Sequence, residues 1–201
     1  MGEAFLTHPY VEGAFRRVIE EYRPAKQYQV CLFLACTYGK PYSQSYIHYK
    51  IIEALRKLGR SYSDIHQVIL TNLGVVPREL EEYYPFCCYD WNPAYENAEV
   101  KKRYLEVLAK RLRRYVETFQ TSYNSYACYL RHNSESYRAV KRVEKELKVR
   151  IPNVALPADR IPKAQIKDVS LGTYTYEEDL TLITPRNLKN LVKEVRKLLQ
   201  C

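Results

Sequence analysis

Short apolar runs alternate with amphipathic helical segments along all 201 residues, which predicts an α/β fold, a three-layer α/β/α sandwich around a mainly parallel sheet. Three observations carry this. Residues 29–35 (QVCLFLA) are apolar almost without interruption, as a strand covered by helices on both faces must be. Residues 66–71 and 125–130 are of similar length and mostly apolar. Between these runs the apolar residues recur at helical spacing.

The elements follow in order. Thr7 caps a helix over 8–22 with Val11, Phe15, Val18 and Ile19 on one stripe, and Pro24 stops it. The strand 29–35 leads into a loop rich in Tyr and Ser, then a helix over 45–58 closed by Gly59. After the strand 66–71, Gly74 and Pro77 mark 72–78 as a loop. Residues 78–83 read as a helical turn ended by Pro85, and 86–90 as a short third strand. The longest helix, 96–119, has Val100, Tyr104, Val107, Leu108, Leu112 and Tyr115 on one stripe, so both tyrosines read as core. A fourth strand at 125–130 precedes a helix over 134–147, capped after His132-Asn133. Residues 150–184 are broken by Pro152, Pro157 and Pro162, and a last helix covers 185–199. A chain of this length is expected to form one domain.

Composition narrows the function classes. With 46% hydrophobic and 27% charged residues the chain has a globular balance. No apolar run approaches the roughly 20 residues that span a bilayer, and the N-terminus has no signal-peptide layout. A cytoplasmic protein without membrane partners is expected. Six cysteines form no CxxC pair and no zinc spacing, so neither a metal nor a cofactor is expected, and Cys31 and Cys128 read as small strand hydrophobes. The net charge of +9 and 20 tyrosines suit an anionic partner bearing aromatic bases, a nucleic acid. The charge is uneven. Residues 31–91 are balanced, whereas 96–120 carry seven Lys/Arg against four Asp/Glu, 138–150 six against two, and 186–198 five against one. These three helices form either ordinary solvated faces or a polyanion surface.

In open α/β sheets the ligand sits beyond the carboxyl ends of the strands, where strand order reverses. The loops at 36–44, 71–78, 90–95 and 131–134 are therefore expected to converge. The first packs Cys36, Lys40, Tyr42, Ser43, Ser45 and His48 into one strand-to-helix turn, and backbone N–H groups there suit an anion. Alone, His48 reads as a helix histidine satisfied by packing; beside Cys36, Lys40 and Ser45 it becomes a catalytic candidate.

The pattern Cys36-x3-Lys40-Pro41-Tyr42-x2-Ser45-x2-His48 resembles the signature of archaeosine synthase, an archaeal tRNA-modifying family related to tRNA-guanine transglycosylase. There it reads Pro-Cys-x3-Lys-Pro-Tyr-x2-Ser-x2-His. The resemblance continues through 71–81 (TNLGVVPRELE), Tyr84-Pro85 and Tyr89-Asp90, and covers about 5–135. Two departures stand out: Ala35 replaces the leading proline, and Trp91-Asn92-Pro93-Ala94 stands where the family continues Pro-Val-Thr-Gly. The family's transglycosylase-like and RNA-binding modules do not fit in 201 residues, so a stand-alone core domain is expected, with tRNA docked by its own surface or a partner chain.

The resemblance implies a core fold like that of uracil-DNA glycosylases and a transferase reaction on 7-cyano-7-deazaguanine in tRNA. An amine supplied as lysine adds to the nitrile, and a separate radical SAM partner completes archaeosine. Under that reading Cys36, with Lys40 favouring its thiolate, adds to the nitrile carbon to form a thioimidate. Alternatively Cys36 only lines the pocket, and His48 or Asp90 deprotonates the amine. Glu79 and Glu81 are candidates for the ammonium groups of lysine and Tyr42 for stacking on the base, with Ser45, Thr71, Asn72, Gly74 and His132 lining the same pocket. Two other classes stay open: a glycosylase-like nucleobase enzyme using Asp90 and His132, and a non-catalytic RNA-binding subunit.

Overall fold

The computed structural model describes residues 3–88, 96–170 and 178–200. A four-stranded sheet of β1 (Tyr28–Ala35), β2 (Ile65–Thr71), β3 (Gly74–Pro77) and β4 (Tyr123–Tyr129) has the order β3-β2-β1-β4. β1 pairs in parallel with both β2 and β4, with Leu34 opposite Ile69 on one side and Tyr129 on the other. β3 returns antiparallel on β2, Thr71 facing Gly74. β2 is buried along its whole length and β1 everywhere except Gln29.

The helices are α1 (Glu3–Leu6), α2 (Pro9–Glu20), α3 (Tyr46–Arg56), α4 (Ala98–Phe119), α5 (Glu135–Leu147), α6 (Lys163–Val169) and α7 (Pro185–Leu198). α2 and α4 pack on each other and on β3, with α5 beside α4, while α3 and α7 pack together in the other layer. Side chains alternate along a strand. Phe33 meets Tyr115 of α4 at 6.4 Å, and Tyr129, aligned with Leu34, donates its hydroxyl to the Leu182 carbonyl just before α7. This is the expected sandwich.

Connectivity decides where a site can form. From β1 the chain crosses through α3 to β2 and turns back as β3; α4 then carries it to β4 on the far side of β1. The two crossovers use opposite layers, so strand order reverses between β1 and β4, and the carboxyl ends of these strands are where open α/β sheets take ligands.

Two expected elements change. Residues 74–77, read as loop, form β3: Gly and Pro frame a strand of four residues, and Pro77 sits on the sheet edge, where its missing N–H breaks no ladder. The aromatic run taken as a third strand is a turn at 86–88, with Cys87 N–H bonded to Tyr83 O at 3.1 Å; 89–90 lie outside the described residues. The proline-broken segment contributes α6 and a parallel bridge on β4, with Cys128 N–H donating to Pro152 O at 2.9 Å and Val154 N–H to Cys128 O at 2.8 Å. No helix among the described residues is long and apolar enough to cross a membrane.

Gly74 is required at the β2–β3 turn. Its φ is +117°, and an added Cβ would lie 2.8 Å from Arg111 Cδ and 3.2 Å from Phe15 Cδ2. Gly74→Ala is expected to cost about 1–3 kcal/mol, read as a lowered urea midpoint at unchanged slope.

Candidate active site at the carboxyl end of the central strand

Cys36 is the first residue past β1, at the β1–β4 reversal. It is half-buried, not in a disulfide, and its thiol faces the Thr37 carbonyl at 3.7 Å. Lys40 Nζ donates to that carbonyl at 3.3 Å and to Tyr38 O at 3.1 Å, so amine and thiol meet on one carbonyl. The Lys40 ammonium also lies 5.9 Å from the Tyr38 ring centre and 5.7 Å from that of Tyr42. From the α4–α5 layer, Tyr104 bonds the Ser136 hydroxyl at 2.8 Å and interacts electrostatically with Cys36. Burial holds the Tyr104 phenol well above its ordinary range, and negative charge at Cys36, Glu96 and Glu135 pushes the same way.

Behind the thiol lies a buried polar hub. Arg78 donates through Nη1 to Glu81 at 2.8 Å, and through Nη2 to Gln67 Oε1 at 2.8 Å and His48 Nδ1 at 2.9 Å. A guanidinium only donates, so Nδ1 accepts and the ring proton sits on Nε2, which donates to Ala35 O at 2.8 Å. His48 thereby holds the last carbonyl of β1, one residue before Cys36. Full burial and the adjacent Arg78 charge depress its pKa to about 3.

These contacts revise several sequence expectations. His48 is neutral with both ring nitrogens engaged, so it positions the Cys36 turn and has no lone pair left for an incoming amine. Tyr42 is fully buried against His48, ring centres 5.8 Å apart, and cannot stack on a base; Tyr38, 75% exposed, is the open ring of this loop. The expected anion cradle is spent internally: Ser43 N–H donates to Glu81 at 3.0 Å, Ser45 N–H to Tyr42 O at 2.9 Å, and His48 N–H to Ser45 Oγ at 3.2 Å. Glu81, buried and committed to Arg78 and Ser43, is not a free ammonium receptor.

Glu79 lies elsewhere. It accepts from His66 at 3.0 Å and from Tyr22 at 3.3 Å, beside Tyr28, at the amino ends of β1 and β2. Thr71 is buried and accepts from Leu73 N–H at 3.0 Å, so with Asn72 and Gly74 it shapes the hairpin turn at the carboxyl end of β2. His132 follows β4 and donates to Ala155 O at 2.9 Å, its ring edge-on to Tyr137. Asp90 lies outside the described residues. The sequence reading missed Arg78, Gln67 and Tyr104. A lone arginine on a turn carries no signal, and Tyr104 fits its helical stripe as core. Among the described residues no group of three or more His, Cys, Asp or Glu is arranged to hold a metal.

Over residues 11–168 the chain matches the family described as Domain of unknown function (DUF5591). The chain belongs to this family. The match extends past the 5–135 stretch in which the motifs lie. Three curated proteins named archaeosine synthase subunit alpha share parts of this DUF5591 chain, which bears out the motif resemblance. That of Thermococcus kodakarensis is 30% identical over 156 residues, 73% of this chain and 24% of the relative. Those of Thermoplasma acidophilum and Methanosarcina acetivorans are 44% and 47% identical over 77 and 76 residues, covering 38% and 37% of this chain and 14% and 12% of the relatives. The chain thus spans about a quarter or less of the length of the curated relatives it matches. Among solved structures, the crystal structure of AF0587, a protein of unknown function, aligns with a TM-score of 0.55 at 22% identity, over 90% of this chain and 48% of that one. That likeness shows the fold.

Because unfolded His48 takes up a proton near its ordinary 6.5 and the folded one only near 3, the unfolded state binds more protons between them. Stability from this group is complete above about 6.5 and falls as the pH drops toward 3, at up to about 1.4 kcal/mol per unit. Urea titrations across this range should give a shallower pH slope for His48→Gln than for the parent protein.

Proposed function

We propose that this DUF5591 domain belongs to the archaeosine branch of tRNA modification and adds an amine, supplied as lysine, to the nitrile of 7-cyano-7-deazaguanine already placed in tRNA. The observation that supports this most is the position of Cys36: a thiol beside a lysine, at the strand-order reversal where α/β sheets take ligands, in a chain similar to proteins named archaeosine synthase subunit alpha.

In the proposed chemistry the Cys36 thiol adds across the nitrile. A carbon–sulfur bond forms, one C–N π bond breaks, and the thiol proton passes to nitrogen, giving a thioimidate. The amine then attacks the same carbon, the carbon–sulfur bond breaks, and the departing sulfur takes the amine proton, leaving an amidine. With both His48 nitrogens engaged, the alternative of an uninvolved Cys36 rests on Asp90 as base. Exposed Tyr38 takes over the stacking role first expected of Tyr42. In this reading a transferase acts on tRNA, and a radical SAM partner finishes the base.

The test incubates the full chain with 7-cyano-7-deazaguanine-containing tRNA and lysine, followed by nucleoside mass spectrometry. The expected product carries the mass of one added lysine, and Cys36→Ser is expected to lose turnover by about 100-fold or more. An unchanged profile from folded protein sinks the function, and full turnover by Cys36→Ser sinks the covalent route.

A further inference from the structure

The three basic helices are not equivalent in space. α4 and α5 lie side by side, joined by the bond between Ser136 and Tyr104, the tyrosine that interacts electrostatically with Cys36. Further along, Arg142 of α5 feels the charge of Glu106 of α4. Lys102, Lys110 and Arg113 of α4 and Arg138, Arg142 and Lys145 of α5 are all exposed. Carboxylates on these helices hold Arg103, Arg113, Arg138, Lys141 and Arg142 in ion pairs, whereas Lys102, Lys110 and Lys145 make none among the described residues. Arg111 adds nothing to this surface, being buried and bonded to Glu12 at 2.9 Å and to Leu6 O at 2.6 Å. α7 is as basic, with exposed Lys189, Lys193 and Arg196, but packs with α3 in the opposite layer.

We propose that the α4–α5 face docks the sugar–phosphate backbone of a folded RNA, while the crevice at Cys36 receives the base. The identity of the polyanion rests on the function proposed above; the choice of face rests on geometry. Phosphate contacts position a nucleic acid without reading its sequence, and mobile surface lysines supply them. The α4–α5 layer carries such lysines on the two helices joined at Tyr104, the tyrosine that interacts electrostatically with Cys36.

The experiment measures binding of an unmodified tRNA transcript to the full chain as a function of salt. Lys102→Ala/Lys110→Ala/Lys145→Ala is compared with Lys189→Ala/Lys193→Ala/Arg196→Ala, and circular dichroism confirms that both fold, as surface substitutions ordinarily do. The first triple is expected to weaken low-salt binding by on the order of tenfold or more and to reduce the log–log salt slope by about 3. The α7 triple should bind like the parent, and replacing the same three α4–α5 lysines by arginine should preserve binding. Absence of RNA binding by the parent, an equal or larger loss in the α7 triple, or full binding by the α4–α5 triple overturns the surface. The nucleoside assay separates the two proposals. Without lysine addition, selective RNA loss in the α4–α5 triple leaves the surface standing; lysine addition with unimpaired binding by that triple removes the surface alone.

Discussion

The Cys36 turn depends on one largely buried cation, Arg78. Withdrawing a guanidinium from water costs several kcal/mol unless its donors are met, and Arg78 offsets much of this cost through Nη1 and Nη2, which meet a carboxylate, an amide and an imidazole from three parts of the fold, while its Nε is buried without a partner. Each partner passes the constraint on. His48, locked as one tautomer, fixes the Ala35 carbonyl; Glu81 fixes the Ser43 amide; Gln67 ties the hub to β2 and, through its amide donor, to the Tyr62 hydroxyl at 2.9 Å. Most of the motif around Cys36 is accordingly scaffold. Tyr42, Ser45 and His48 turn inward, whereas Tyr38 is exposed and Lys40 and Cys36 are partly so.

Topology and electrostatics divide the remaining work. The reversal of strand order puts the thiol between the α3 side and the α4–α5 side. The basic surface begins on the same two helices. The hub behind the turn is internally balanced, with Arg78 answered by Glu81, and Lys40 is the cation beside the thiol. Long-range attraction of a polyanion and local reactivity of a thiol are thus handled by separate residues.

Much of the fold was legible because periodicity is local. The run at 29–35 became β1 to within a residue, and, of the expected stripe, Val100, Val107, Leu108, Leu112 and Tyr115 lie on the buried face of α4, while Tyr104 is only partly buried. The failures also have local causes. Residues 74–77 are strand only because β2 lies alongside them, while 86–88 have strand composition yet form a turn, with Cys87 N–H bonded to Tyr83 O. Neighbours on a turn diverge too: Arg78 reaches toward α3, whereas Glu79, one residue on, joins His66 and Tyr22 at the far end of the strands.

By itself the sequence determined the alternation of strands and helices, the place of Cys36 at a strand end, the basic helices and the family resemblance, all of which are patterns within short windows. The tertiary structure alone decided which polar groups remain available for chemistry. Hydrogen-bonding capacity is consumed by partners remote in the chain, such as His48 by Arg78 at a separation of 30 residues and Ser43 by Glu81 at 38. A residue's type states what it is able to bond, and only the packed fold states what it has already bonded.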